Sequence, residues 1–127
     1  MDYYFDHERL KVYQLARRFN RELHTVPKHL PRGHPESKDN LRRGGMSITR
    51  NIAEGSGRWR IPDKVHFYHI ARASATECGA SLDELVDVAA LADPAAMRLK
   101  WMLYQIIAML IAMIRSLEQR PRPDMSR

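Results

Sequence analysis

The sequence predicts an all-α protein: an up-down antiparallel four-helix bundle with helices over about residues 6–26, 36–57, 62–91 and 94–119. Apolar residues return every three or four positions in four separate segments, which is the period of a helix buried along one side. Prolines and glycines concentrate between these segments, where helices end. No segment shows the strict alternation of a convincing β-strand.

The chain length and composition fit one folded domain. We place this domain at residues 1–120 and expect a frayed, polar tail at 121–127. The hydrophobic share of 44% is enough for a core, and the single cysteine, Cys78, excludes an intrachain disulfide. The first ten residues lack the basic and apolar regions of a secretory signal, so we expect a cytoplasmic protein.

The first two helices are read from their apolar stripes. The first ends before Pro27, and three prolines within residues 27–36 predict a loop. The second carries Gly44-Gly45, a pair that destabilises a helix by about 1 kcal/mol per residue and favours a close helix crossing. Gly57 is predicted to end the second helix. The predicted buried positions are Val12, Leu15, Ala16, Phe19, Leu23 and Val26, then Leu41, Gly45, Ile48, Ile52 and Gly55.

The third helix begins near Pro62 and Asp63, residue types that suit a first turn. Its stripe contains many small residues, which again indicates close packing. The fourth helix begins at Asp93-Pro94. The predicted buried positions of the third helix are Phe67, Ala71, Ser74, Ala75, Cys78, Leu82, Leu85 and Ala89, and those of the fourth are Leu99, Leu103, Ile106, Leu110, Met113 and Leu117.

The fourth helix is apolar on its remaining side as well. Residues 101–114 contain one polar residue, Gln105, and this run is shorter than the roughly 20 residues that span a membrane. We therefore expect no membrane partner. A helix that is apolar all round is buried all round, so its second face predicts a homo-oligomer. The predicted oligomer interface is Trp101, Tyr104, Ile107, Ile111 and Ile114.

No constellation of residues signals an enzyme, a cofactor or a metal. Gly55-x-Gly57 follows a helix and stands alone, unlike a phosphate-binding loop. His66 and His69 are three residues apart, but no third ligand has suitable spacing. A catalytic pair of Glu54 and Glu77 is a third hypothesis, although nothing in the sequence signals the cleft that acid–base catalysis needs.

Polar residues on the second and third helices have a structural interpretation instead. Buried polar groups must be hydrogen-bonded. We therefore predict a network that fixes the register of the two helices and is made of Asn51, Glu54, Ser74 and Glu77.

The net charge of +6 is confined to the first half of the chain. Residues 1–64 contain 14 Lys and Arg against 8 Asp and Glu, whereas residues 65–127 contain 7 of each kind. One-sided basic charge favours a polyanionic partner, DNA or RNA. Trp59 stands between two arginines and either stacks on a base or packs in the turn. The predicted phosphate contacts are Arg17, Arg18, Arg21, Arg42, Arg43, Arg50, Arg58 and Arg60.

Two runs of the sequence also carry a family resemblance. LRRGGMSITRNIAEGSGR, followed by FYHIARASATE, resembles the small "four helix bundle protein" family, which includes proteins encoded in intervening sequences of bacterial 23S ribosomal RNA genes. The chain is also similar to the accessory variability determinant proteins of diversity-generating retroelements. The matching residues are Arg42, Arg43, Ser47, Ile48, Asn51 to Gly55, Gly57, Arg58, Phe67, Ile70, Ala71, Ser74 and Glu77.

The resemblance implies a four-helix bundle that assembles as a ring-shaped homopentamer without known enzymatic activity. Its retroelement branch implies nucleic-acid binding and a reverse transcriptase as partner. Our principal hypothesis is a non-enzymatic oligomer that binds nucleic acid, or a nucleic-acid-processing partner, through its basic surface. The alternative is a purely structural oligomeric scaffold that binds no nucleic acid. Neither hypothesis includes a small-molecule substrate.

Overall fold

The computed structural model describes residues 3–25 and 35–121. Within them the chain forms four α-helices and no strand, which confirms the predicted all-helical four-helix bundle. A short 3₁₀ helix, Asp6–Arg9, precedes them. The helices are α1 (Lys11–Thr25), α2 (Pro35–Gly57), α3 (Ile61–Asp87) and α4 (Asp93–Glu118). Most of the predicted loop at 27–36, Val26 and the tail at 122–127 lie outside the described residues.

Each helix packs against the next one in the chain, and α1 also packs against α4. The four helices therefore close a ring around one core, with α2 and α4 on opposite sides. Antiparallel neighbours are fixed by contacts such as Lys100 Nζ to Asp83 Oδ1 at 2.6 Å and Arg98 Nη2 to Glu22 Oε1 at 2.9 Å.

Two helix ends differ from the predicted ones. The first helix does not begin at residue 6, because Leu10 has an extended backbone with ψ 126° that separates the 3₁₀ helix from α1. The third helix stops at Asp87 rather than 91. Ala89 there adopts a left-handed conformation with φ 56°, and the Ala90 N–H donates to the Leu85 carbonyl at 2.8 Å. Ala89 is therefore exposed, and its predicted burial was wrong.

The core agrees with the predicted stripes at most positions. All five residues predicted for α2 are buried. Leu15, Phe67 and Met113 were predicted to be buried but are half-buried. Tyr68 is buried in place of Phe67, and Ile114 in place of Met113. Each replacement is the next residue along its helix, about 100° further round.

Three glycines of α2 make the close crossings possible. A Cβ on Gly44 would lie 2.6 Å from the Cys78 sulfur, and one on Gly55 would lie 2.7 Å from the Tyr68 ring. A Cβ on Gly45 would overlap the Asn20 side chain, whose Nδ2 donates to the Gly45 carbonyl at 3.1 Å. These contacts support the predicted close approach at Gly44-Gly45, with α3 against the first glycine and α1 against the second.

Candidate nucleic-acid interface

The packing of α1 against α2 brings arginines from both helices to one outer surface. Asn20 meets Gly45 at the centre of this contact. Arg17 and Arg21 lie beside Asn20 on the solvent side of α1, and helical geometry turns Arg42 and Arg50 outward from α2 on either side of Met46. We call the following outward-facing residues the arginine face, of which Arg43 also borders a groove between α2 and α3: Arg17, Arg21, Arg42, Arg43 and Arg50.

Ion pairs divide the eight predicted arginines into two groups. Arg42 Nη2 lies 2.9 Å from Asp39 Oδ1, and Arg43 Nη2 lies 3.6 Å from Oδ2 of the same carboxylate. Arg18 lies 4.0 Å from Glu22, outside the arginine face. The other group makes no ion pair with any described residue: Arg17, Arg21, Arg50 and Arg60.

The eighth arginine, Arg58, is held at the α2–α3 turn. Its Nη2 lies 2.6 Å from Glu54 Oε1, and its guanidinium lies 4.8 Å from the centre of the Phe67 ring. A guanidinium that is paired and stacked has fewer donors left for phosphate than Arg60, which is exposed and makes no ion pair with a described residue. Arg58 is therefore a weaker candidate for a phosphate contact than the sequence suggested.

The predicted polar network is smaller than expected. Ser47 Oγ and Ser74 Oγ are 2.8 Å apart across the α2–α3 contact, and Asn51 Nδ2 donates to Ser47 O and Ser47 Oγ at 2.8 and 3.1 Å. Ser47 is thus the centre of the network, a role that the sequence did not assign. Glu54 and Glu77 do not belong to it, and this part of the prediction was wrong. Both are exposed at the rim, where water solvates a carboxylate more favourably than a buried site does.

An open groove runs between α2 and α3 above this serine contact. Its lining includes Arg43, Gly44, Glu77 and Glu84. Glu54 is absent from the lining and is engaged by Arg58, so the two glutamates of the enzyme hypothesis do not form a pair. Among the described residues, no three metal-binding side chains come together.

The bundle end that holds the α2–α3 turn contains a lysine that sequence reasoning missed. Lys64 Nζ donates to the carbonyls of Gly55 and Ser56 at 3.2 and 2.8 Å, so that it caps the last turn of α2 from α3. Burial lowers the pKa of Lys64, and Arg120 nearby lowers it further, whereas Asp6 acts in the opposite direction. The position of Lys64 in the first turn of α3 was the available signal.

The outer side of α4 carries an apolar stripe. Trp101 and Tyr104 are 60% and 64% exposed, with their rings stacked at 5.6 Å between centroids. Ile107 and Ile111 are half-buried. Ile114 is only 5% exposed and belongs to the core of the chain, so its assignment to an oligomer interface was wrong. The angular position of Ile114 on α4 turns it toward α3. Met97, which was not among the predicted interface residues, is exposed in line with Trp101.

The spacing of this stripe is regular. Met97, Trp101, Tyr104, Ala108 and Ile111 follow one another by four, three, four and three residues, which is the spacing of a coiled-coil seam. Of the described helices, α4 alone is long and apolar enough to cross a membrane by length and composition. Its inner side is part of the bundle core, however, and eight of its residues are buried there.

These features define a small all-helical bundle protein with a basic surface on α1 and α2 and an apolar one on α4. The chain belongs to the 23S rRNA-intervening sequence protein family, whose family model matches residues 8–112. No curated protein matches the chain. Among solved structures it is similar to the crystal structure of a protein with unknown function from the S23 ribosomal protein family of Bacteroides thetaiotaomicron VPI-5482. That likeness has a TM-score of 0.76 and 20% identity, covers 82% of this chain and 95% of the other, and supports the fold alone.

Proposed function

We propose that this chain is a non-enzymatic homo-oligomer that binds nucleic acid through the arginine face, either directly or together with a nucleic-acid-processing protein such as a reverse transcriptase. The observation that carries the proposal is the position of five arginines on the outer surface of two adjacent helices. Three of the five, Arg17, Arg21 and Arg50, make no ion pair with any described residue.

The chemistry of these side chains fits phosphate rather than base edges. A guanidinium presents five donors that match phosphate oxygens, and an unpaired one needs no competing carboxylate to be displaced. The face consists of two helix surfaces without a projecting recognition helix, so its contacts position a nucleic acid without reading its sequence. Binding should therefore depend strongly on salt and weakly on sequence.

Assembly through the outer side of α4 supports this function. An exposed apolar stripe with coiled-coil spacing fits another protein surface, and we propose further copies of the same chain as its partner, in a ring-shaped pentamer. Each copy carries a net charge of +6, so weak phosphate contacts on several copies add through avidity.

The arginine face is tested with the variant Arg17→Ala/Arg21→Ala/Arg50→Ala. Loss of three phosphate contacts should reduce the slope of log K against log salt by about 2.7 for duplex DNA. The matched control is Arg72→Ala, an exposed arginine of α3 that makes no ion pair with a described residue. Fluorescence anisotropy of a labelled duplex measures both. The proposal is contradicted if the triple variant and the control lose equal affinity for the duplex, or if the unaltered protein does not bind it at about 50 mM salt.

The assembly is tested by light scattering after size exclusion. Trp101→Lys places a charge in the apolar stripe and should reduce the oligomer toward a chain of 14.8 kDa. Val88→Lys is the control, because Val88 is 51% exposed just beyond α3 and outside the stripe. A monomeric unaltered protein refutes the oligomer.

A structural scaffold without nucleic acid remains the second candidate because one observation favours it. Four of the eight predicted arginines already lie in ion pairs with carboxylates of the chain: Arg18, Arg42, Arg43 and Arg58. If this candidate is right, the oligomer forms normally while neither DNA nor RNA binds at low salt.

A further inference from the structure

Three exposed aromatic residues lie at the bundle end that holds the α2–α3 turn. Trp59 in the turn is 96% exposed, and Tyr4 and Phe5, just before the 3₁₀ helix, are 90% and 65% exposed. The 3₁₀ helix packs on α2, and a groove lined by Asp6, Ser56 and Lys64 joins both segments at this end. We call Tyr4, Phe5 and Trp59 the aromatic end.

From this arrangement we infer that the aromatic end is a stacking site for the unpaired bases of single-stranded nucleic acid, in addition to the phosphate contacts of the arginine face. The inference rests on the proposed nucleic-acid binding and names the form of nucleic acid that the protein prefers. Aromatic faces beside cations are the usual elements of sequence-tolerant single-strand binding.

The exposure of Trp59 is the first argument. A tryptophan buries a large apolar area in most folded proteins, whereas Trp59 packs almost none of its surface against the described residues. Trp59 lies in the short turn between Gly57, which ends α2, and Ile61, which begins α3. Both ring faces are available.

The second argument is that Phe5 is held in place. Its ring stacks on His7 with 5.5 Å between centroids, and the rings of His7 and Tyr13 are T-shaped with 4.6 Å between centroids. The Phe5 N–H also donates to Glu8 Oε1 at 3.0 Å, which fixes the backbone of Phe5 against the 3₁₀ helix. A ring fixed in this way loses little conformational entropy when a base stacks on its free side.

The charges around Trp59 are the third argument. Arg60 is exposed and makes no ion pair with a described residue, so it can hold the phosphate that follows a stacked base. Arg58 neutralises Glu54 on the other side of the turn. The apolar stripe of α4, in contrast, has no charged residue between positions 101 and 114 and lacks this pairing of rings with cations.

The chain contains two tryptophans, and this provides an internal control. In Trp101→Phe the sole tryptophan is Trp59, and its fluorescence should be quenched when oligothymidine binds. In Trp59→Phe the sole tryptophan is Trp101, and its fluorescence should not change. Trp59→Ala should weaken single-strand binding about 5- to 150-fold, the range for one lost base–aromatic stack. Trp59→Phe should retain most of the affinity, and duplex binding should change less than twofold in both.

The outcomes separate this inference from the proposed function. Binding that leaves Trp59 unquenched, or that weakens equally for single strands and duplex in Trp59→Ala, overturns the stacking site while nucleic-acid binding stands. Absence of any binding overturns both. A Trp59 signal that changes with protein concentration alone, without oligonucleotide, assigns the residue to a contact between copies and also overturns the inference.

Discussion

Gly55→Ala in α2 should destabilise the protein, although alanine is the better helix former. Exchange of an interior helical glycine for alanine gains about 1 kcal/mol of helix propensity. The new Cβ would lie 2.7 and 2.9 Å from two atoms of the Tyr68 ring and 3.2 Å from the Lys64 carbonyl oxygen. The ring is buried and the carbonyl is backbone, so neither can move freely. Overpacking of this kind costs about 2–3 kcal/mol.

The net expectation is a loss of about 1–2 kcal/mol in the free energy of unfolding. For a chain of this length, this corresponds to a fall in Tm of about 3–8 °C. Thermal and urea denaturation, followed by circular dichroism at equal protein concentrations, measure it. The concentration is held fixed because assembly would contribute to the apparent stability.

Gly79→Ala in α3 is the matched control. Gly79 is also inside a helix, but a Cβ there would meet no atom within 4 Å. This variant should gain about 0.5–1 kcal/mol from helix propensity alone, with a corresponding rise in Tm. If both variants stabilise the protein equally, Gly55 is not required by the α2–α3 contact and the argument from close packing is refuted.

Three further predictions concern side chains of the α2–α3 contact. Ser47→Ala and Ser74→Ala should show a coupling of about 0.5–1.5 kcal/mol in a double-mutant cycle, because the two hydroxyl oxygens are 2.8 Å apart. Losses of unfolding free energy that simply add would contradict a hydrogen bond between them. Burial raises the pKa of Cys78 from 9.0 to about 12, so thiol labelling at pH 8 should be about a thousandfold slower than in urea. Between pH 9 and 12 the folded state retains the thiol proton while the unfolded state loses it, so the free energy of unfolding should fall as pH rises through this range. The fall should be smaller in Cys78→Ala, and equal slopes of stability against pH in the two proteins would contradict the raised pKa. Lys64→Met should cost about 1 kcal/mol in urea unfolding by uncapping α2, and an unchanged midpoint would show that the cap is replaced by water.

The number of helices and most of the core followed from periodicity because each helix presents one apolar stripe to a common centre. Periodicity alone does not choose between two neighbouring residues at the edge of a stripe. Tyr68 is buried instead of Phe67 because Gly55 lies opposite and leaves room for its ring. The early end of α3 was also not predictable, because Ala89 adopts a positive φ without the glycine that usually signals it.

The candidate interface was less predictable than the fold. The residue types and their helical spacing placed arginines on the outside, but ion pairs depend on which carboxylates lie within 4 Å. Asp39 takes up Arg42 and Arg43, and Glu54 takes up Arg58, whereas Arg50 makes no ion pair with a described residue. In a helical sequence, arginines and carboxylates often stand three or four residues apart, and only some of these pairs form an ion pair. The side-chain geometry decides among them.

The arrangement of the helices makes the two proposed surfaces compatible. Since α2 packs between α1 and α3, and α4 packs between α3 and α1, the arginine face and the stripe of α4 lie on different sides of the bundle. A copy that packs on Trp101 and Tyr104 therefore does not cover Arg50 or Met46. In the proposed assembly, the stripe of each copy would make its contact away from that copy's own basic side, so repulsion between +6 chains would be reduced by distance and screened beyond about 8–10 Å. Where the surface that opposes the stripe in the proposed ring also lies outside the arginine face, the arginines of successive copies are available to one continuous polyanion, which is the arrangement that avidity requires.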